Sequence, residues 1–131
     1  MFLELNLNSE IPIYVQIKDQ IICLIAKNEL KEGDKLPSVR QLSTDIGVNL
    51  HTINKAYSIL KETGFLVVNR RKGVLVNAPE FYRHDDNYLE SLKELLNPIV
   101  TEAIARKVDR DTMQHMIKAI YEQMEEGAHN G

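Results

Sequence analysis

The sequence predicts a mostly α-helical fold that carries one small β-hairpin, and three observations predict it. Two short amphipathic stretches, Ser38–Ile46 and Asn49–Leu60, are separated by Gly47, the residue best suited to a left-handed helix end. Two apolar strands, Phe65–Val68 and Val74–Val76, flank Asn69-Arg70-Arg71-Lys72-Gly73. A long apolar stripe at helical spacing then runs through residues 88–124.

Residues 1–10 form a lead-in whose Leu3, Leu5 and Leu7 alternate as in a short strand. Pro12 suits a first helical turn, and Tyr14, Ile17, Ile21, Leu24 and Ile25 continue that helix on one face. Gly33-Asp34 is turn chemistry, and Lys35-Leu36-Pro37 a short connector. Ser38 with Gln41 reads as a capping box, in which each side chain satisfies an orphan backbone donor. Val39, Leu42 and Ile46 are the inner face of that second helix. Asn49 caps a third, whose inner face is Ile53, Ala56, Tyr57 and Leu60. Gly64 ends it and the hairpin follows, with Gly73 at its tip.

Ala78-Pro79 marks a boundary, and residues 79–87 read as a linker or helix cap. Tyr88 to Ile104 forms an amphipathic helix that Pro98 is expected to kink or split near Asn97. Asp109 caps a last helix with Met113, Met116, Ile117, Ile120, Tyr121 and Met124 inward, and Glu125 to Gly131 are expected to fray. The organisation is therefore a winged helix-turn-helix over 11–78, a linker over 79–87, a two-helix unit over 88–126 and a tail over 127–131. The two helices carry more apolar stripe than an isolated pair can bury. A second subunit is the expected cover, with Leu92, Leu95, Leu96, Ile99, Met113, Met116, Ile117, Ile120 and Met124 as the dimer interface.

Charge is divided unevenly. The net formal charge is −3, yet residues 1–79 carry +2 and residues 80–131 carry −5; Lys35–Asn77 alone holds seven basic against two acidic residues. Phosphate binding depends on such local cations. A recognition helix meets base edges through its first turns, here Leu50, His51, Thr52, Asn54 and Lys55. Asn54 is the reader, since its amide pairs bidentately with adenine. Leu50 suits a thymine methyl or simple packing, His51 a base or a phosphate, and Thr52 and Lys55 phosphates. Arg40, with Ser38 at the same helix start, suits the DNA backbone. Arg70, Arg71, Lys72 and Gly73 at the hairpin tip suit a minor groove or its flanking phosphates.

Other classes fit less well. There is no phosphate-cradling glycine loop, nucleophile elbow or paired-acid cleft, so an enzyme is not expected. The four histidines are too scattered for a metal signature, and no cofactor or metal is expected. The first residues carry acids and no basic n-region, and no apolar run reaches membrane-span length, so a cytoplasmic protein away from membranes is expected. Cys23, the one cysteine, sits among Ile21, Ile22, Leu24 and Ile25 and is expected as a buried thiol. The alternative function is a winged helix that binds protein only; it calls for an apolar or acidic recognition face, whereas this one is polar beside a basic wing. The methionines and Tyr121 of the last helix suit either a pocket for an unknown small-molecule effector or, as preferred, core and dimer interface.

Pro12-Ile13-Tyr14-Val15-Gln16-Ile17, then Leu36-Pro37-Ser38-Val39-Arg40-Gln41-Leu42, Gly47-Val48-Asn49, His51-Thr52-Ile53, Lys55-Ala56-Tyr57, Leu60, Gly64-Phe65 and Lys72-Gly73 together resemble the N-terminal domain of the GntR family of bacterial transcription regulators. The resemblance spans roughly residues 10–77. It implies a repressor that binds palindromic operator DNA as a homodimer, with the Arg40 position, the start of the recognition helix and the wing glycine at the DNA. Fatty-acid-responsive members carry arginines where this chain has Leu50 and Asn54, so their operator contacts do not transfer. The short helical C-terminal part is similar to the YtrA subfamily, which implies a mainly dimerising domain and, often, control of transporter operons.

Overall fold

The computed structural model describes residues 1 and 3–130, with side chains through residue 127. Its elements are α1 (Ile13–Ala26), α2 (Val39–Ile46), α3 (Leu50–Glu62), β1 (Leu66–Asn69), β2 (Gly73–Val76), a 3-10 turn (Pro79–Phe81), α4 (Asp86–Ala105) and α5 (Arg110–Asn130). The core gathers Ile17 and Ile21 of α1, Leu42 of α2, Ile53, Ala56, Tyr57 and Leu60 of α3, Leu66 and Val76 of the hairpin, and Leu36. The apolar spacing of these helices thus becomes one three-helix core closed by the hairpin.

Several local expectations change. Pro12 is the N-cap of α1 and does not lie within its first turn. Ser38 caps α2 by accepting from the Gln41 N–H at 3.0 Å, but the Gln41 amide turns forward to Asp45 at 2.7 Å, so only half of the capping box forms. Leu3, Leu5 and Leu7 make no strand. Instead the segment lies extended along α1, where Gln20 and Gln16 accept the N–H groups of Glu4 and Asn6 at 2.8 Å. Leu3 and Leu5 pack on the core while Leu7 is exposed.

The connector before α2 is more than a connector. Lys35 bridges antiparallel to Leu75, and Leu36 donates to the Val74 carbonyl at 2.9 Å. Residues 33–36 therefore line the free edge of β2, which answers the backbone groups an isolated hairpin leaves open. β1 and β2 pair with Leu66 opposite Val76 and Asn69 opposite Gly73, so the connecting loop is only Arg70-Arg71-Lys72. Leu66 and Val76 are buried, whereas Val67 and Val68 face outward.

Gly64 follows α3 at φ +90°, and the Phe65 N–H reaches back to the Leu60 carbonyl as in a Schellman end. A β-carbon at Gly64 would sit 2.1 Å from the Phe81 carbonyl oxygen. Only glycine admits that approach. The linker is consequently packed, and Tyr82 stacks on Phe65 with centroids 4.7 Å apart.

Asp85 caps α4 by accepting from the Tyr88 N–H at 2.8 Å, so the helix starts ahead of residue 88. Pro98 does not split it: α4 runs unbroken through Pro98 to Ala105. α4 buries no residue completely. Its end is a second Schellman-type turn with Lys107 at φ +68°, after which Asp109 caps α5 through the Thr112 N–H at 2.8 Å. α4 and α5 do not pack along each other as the predicted pair; α5 reaches back to α1 instead. There Cys23 Sγ lies 4.0 Å from Met124 Sδ, so Cys23 is half-buried at this seam and not deep in the core. Gly127 faces the Lys27 stem closely at the same seam. Helix continues across Glu125 to Asn130, where fraying was expected, and Gly131 lies outside the described residues.

Candidate nucleic-acid interface

Ile53, Ala56, Tyr57 and Leu60 anchor one side of α3 in the core, which turns the opposite side outward. Leu50, His51, Asn54 and Lys55 are exposed and Thr52 is half-buried. The helix entry is fixed by Asn49, whose Oδ1 accepts from the His51 N–H at 2.8 Å, and by Ser43 Oγ, which donates to the Val48 carbonyl at 2.6 Å. The turn before α3 is thus tied at both ends.

Tyr57 supplies a further tie. Fully buried, it donates from its hydroxyl to the Pro37 carbonyl at 2.8 Å, joining α3 to the residue before the α2 cap. Burial pushes its phenol far above the ordinary tyrosine range, so the hydroxyl keeps its proton and stays a donor. Through this bond the start of α2, and with it exposed Ser38 and Arg40, is held in register with α3. The Ser38 oxygen already serves as the α2 cap.

The hairpin tip is shaped by Asn69. Its Oδ1 accepts from the N–H groups of Arg71 at 2.9 Å and Lys72 at 3.0 Å, an Asx-type turn that folds the loop over and leaves Arg70, Arg71 and Lys72 exposed. Gly73 opens β2 and is half-buried. Among the described residues the ion pairs are Lys18–Asp19, Arg106–Glu102 and Lys118–Glu122, so no carboxylate neutralises Arg40, Lys55 or the tip cations.

Two residues join this surface that sequence reasoning missed. Lys35 reaches it because the connector pairs with β2, which brings its Cε within 3.5 Å of the place a Gly73 β-carbon would occupy. Tyr14 of α1 reaches it because its ring lies beneath Lys55, with Nζ 4.0 Å from the ring centroid. Neither has a local signature; both depend on tertiary placement.

The expected dimer residues lie apart from this surface. Leu92, Leu95, Leu96 and Ile99 of α4 and Met116, Ile117 and Ile120 of α5 are exposed, while Met113 and Met124 are half-buried. A cavity of about 530 Å³ at the α4–α5 elbow is lined by Val100, Ala103, Ile104, Val108 and Met113, with Arg110 at its polar side. Tyr121 and Met124 line a smaller one, about 370 Å³, against Ala26. Among the described residues no cluster of three metal-ligating side chains occurs, and no helix is long and apolar enough to cross a membrane.

Comparison with known proteins gives this geometry a context. Residues 13–76 match the family described as bacterial regulatory proteins, gntR family. The chain is 31% identical over 128 residues to the HTH-type transcriptional repressor YtrA of Bacillus subtilis, across 98% of each chain. Among solved structures, YtrA from Sulfolobus acidocaldarius, a GntR-family transcription factor, aligns with TM-score 0.61 and 43% identity over 79% of this chain and 97% of that one. A transcriptional antiterminator from Listeria monocytogenes aligns at TM-score 0.87 over 95% of this chain and 92% of that one; at 23% identity it speaks for the fold alone.

Proposed function

Because the chain belongs to the gntR family of bacterial regulatory proteins, a family of transcription regulators and not of enzymes, we propose that it is a cytoplasmic, homodimeric repressor of operator DNA. One observation carries the reading: the polar first turns of α3 are turned outward, on a helix anchored by four buried residues. In this reading α3 enters the major groove, where Asn54 reads a base edge and His51, Thr52 and Lys55 meet a base or phosphates. Leu50 lies against a thymine methyl, Arg40 and Ser38 sit at the backbone, and the tip from Arg70 to Gly73, with Lys35 beside it, follows the adjoining minor groove.

The homodimer rests on the apolar face that α4 leaves uncovered in one chain. Two copies joined there would present two α3 helices to half-sites about 34–36 Å apart, one duplex turn. Should a metabolite govern binding, the elbow cavity is its natural seat, since a ligand there bears on the angle between α4 and α5.

Titration of a mixed-sequence duplex with the full chain tests the proposal. The Arg71→Ala, Lys72→Ala double variant should bind every duplex more weakly, with a slope of log affinity against log salt shallower by about two for each bound subunit. An unchanged slope would remove the wing from the interface. No binding at any salt concentration would favour a winged helix that contacts protein only.

A further inference from the structure

We propose that Tyr14, which lies on α1 ahead of the α2–α3 pair, is a positioning residue for DNA binding: its ring holds the Lys55 ammonium at the edge of α3 where a phosphate arrives. The inference rests on the reading of Lys55 as a phosphate contact. Lys55 Nζ stands 4.0 Å from the Tyr14 centroid, well within the range of a cation over an aromatic face. No carboxylate pairs with Lys55 among the described residues, so the ring is the partner that restrains it. The ring is itself fixed, because Tyr14 packs against the core beside Ile13 and Ile17 of α1, and α1 packs along α3. A free lysine must surrender its side-chain freedom when it meets a phosphate. One held over an aromatic face has already surrendered much of it. The ring face neutralises no charge, unlike a carboxylate, so the full cation remains for DNA.

The experiment compares full-length wild type, Tyr14→Phe, Tyr14→Leu, Lys55→Ala and the Tyr14→Leu, Lys55→Ala double variant on one mixed-sequence duplex across a salt series. Tyr14→Phe should match wild type, because it keeps the ring. Tyr14→Leu should weaken binding roughly two- to fivefold, a fraction of the side-chain freedom a lysine gives up when it is ordered. On the Lys55→Ala background the same change should do nothing, which separates positioning from general loss of packing. Lys55→Ala should make the salt slope shallower by about one for each bound subunit. If Lys55→Ala changes neither affinity nor slope, the assignment of Lys55 to DNA fails first. If Lys55→Ala weakens binding but Tyr14→Leu does not, only the role of Tyr14 is overturned. Tighter binding by Tyr14→Leu would mean that the ring withholds the lysine, the opposite of the proposal. An NMR measurement on the wild type needs no variant: the Lys55 ε-protons should keep their upfield ring-current shift when the duplex is added, and its loss on binding would overturn the proposal.

Discussion

Gly64→Ala should be markedly more destabilising than Gly47→Ala, although both glycines follow a helix with positive φ. At Gly47, φ is +65° and nothing lies within 4 Å of an added β-carbon. The cost there is left-handed strain of about 1–2 kcal/mol, partly offset by the stiffer unfolded chain, so about 1 kcal/mol net. At Gly64, φ is +90° and the new carbon would stand 2.1 Å from the Phe81 carbonyl oxygen and 2.9 Å from its carbonyl carbon. Both are backbone atoms, so no rotamer relieves the clash. Phe81 must retreat by more than an ångström, which pulls on the neighbouring Phe65–Tyr82 stack, a contact of about 0.5–1.5 kcal/mol. Strain, lost stacking and backbone displacement together come to roughly 2–4 kcal/mol. Urea denaturation followed by far-UV circular dichroism, at one fixed protein concentration, should place the Gly64→Ala midpoint about 0.5–1 M below that of Gly47→Ala. Equal midpoints would refute the claim that Phe81 and Tyr82 are docked on the end of α3.

Other consequences are smaller or act elsewhere. Tyr57→Phe removes the hydroxyl bond to Pro37 and should cost about 0.5–1.5 kcal/mol, lowering Tm by roughly 2–6 °C; an unchanged Tm would mean the bond does not hold α2 to α3. The Asp109 carboxyl is held below the ordinary aspartate range, chiefly by the backbone N–H of Thr112 and then by the Thr112 side chain. Because the folded value is depressed, its contribution to α5 is present above the ordinary aspartate value of about 4 and is lost as pH falls from there through the lower folded value. The stability difference between wild type and Asp109→Asn should accordingly drift with pH in that acid range and be flat above it; a difference flat throughout would contradict the capping role. Leu95→Glu, at a position 67% exposed in one chain, should turn a sedimenting dimer into a monomer without lowering helix content, and a wild type already monomeric at micromolar concentration would count against the α4 interface.

The half that matches the family was legible because its signals are local. Ser38, Gly47, Asn49 and Gly64 mark helix ends by chemistry that operates within a few residues, and the buried face of α3 follows from spacing alone. What escaped depends on distance in sequence. The glutamines that bind the lead-in, the pairing of Lys35 with Leu75 and the seat of Tyr14 under Lys55 join residues ten to forty-one positions apart. Lys107 ends a helix in a conformation for which glycine is the usual signal, so that end carried no marker. Pro98 does not end the helix for another reason: a proline removes a single backbone donor and strains its turn, a cost that α4 bears while running on to Ala105. Where α4 and α5 go was beyond reach, because an apolar stripe states that a face needs cover and does not name the cover.

The central claim is that the outward side of α3 and the hairpin tip together form the surface that meets duplex DNA. Backbone NMR of the full chain during titration with a mixed-sequence duplex tests it most directly. The amides of residues 50–55 and 69–73 should shift or broaden, and those along α4 should stay in place. Perturbations gathered on α4 and α5, with residues 50–55 silent, would contradict it.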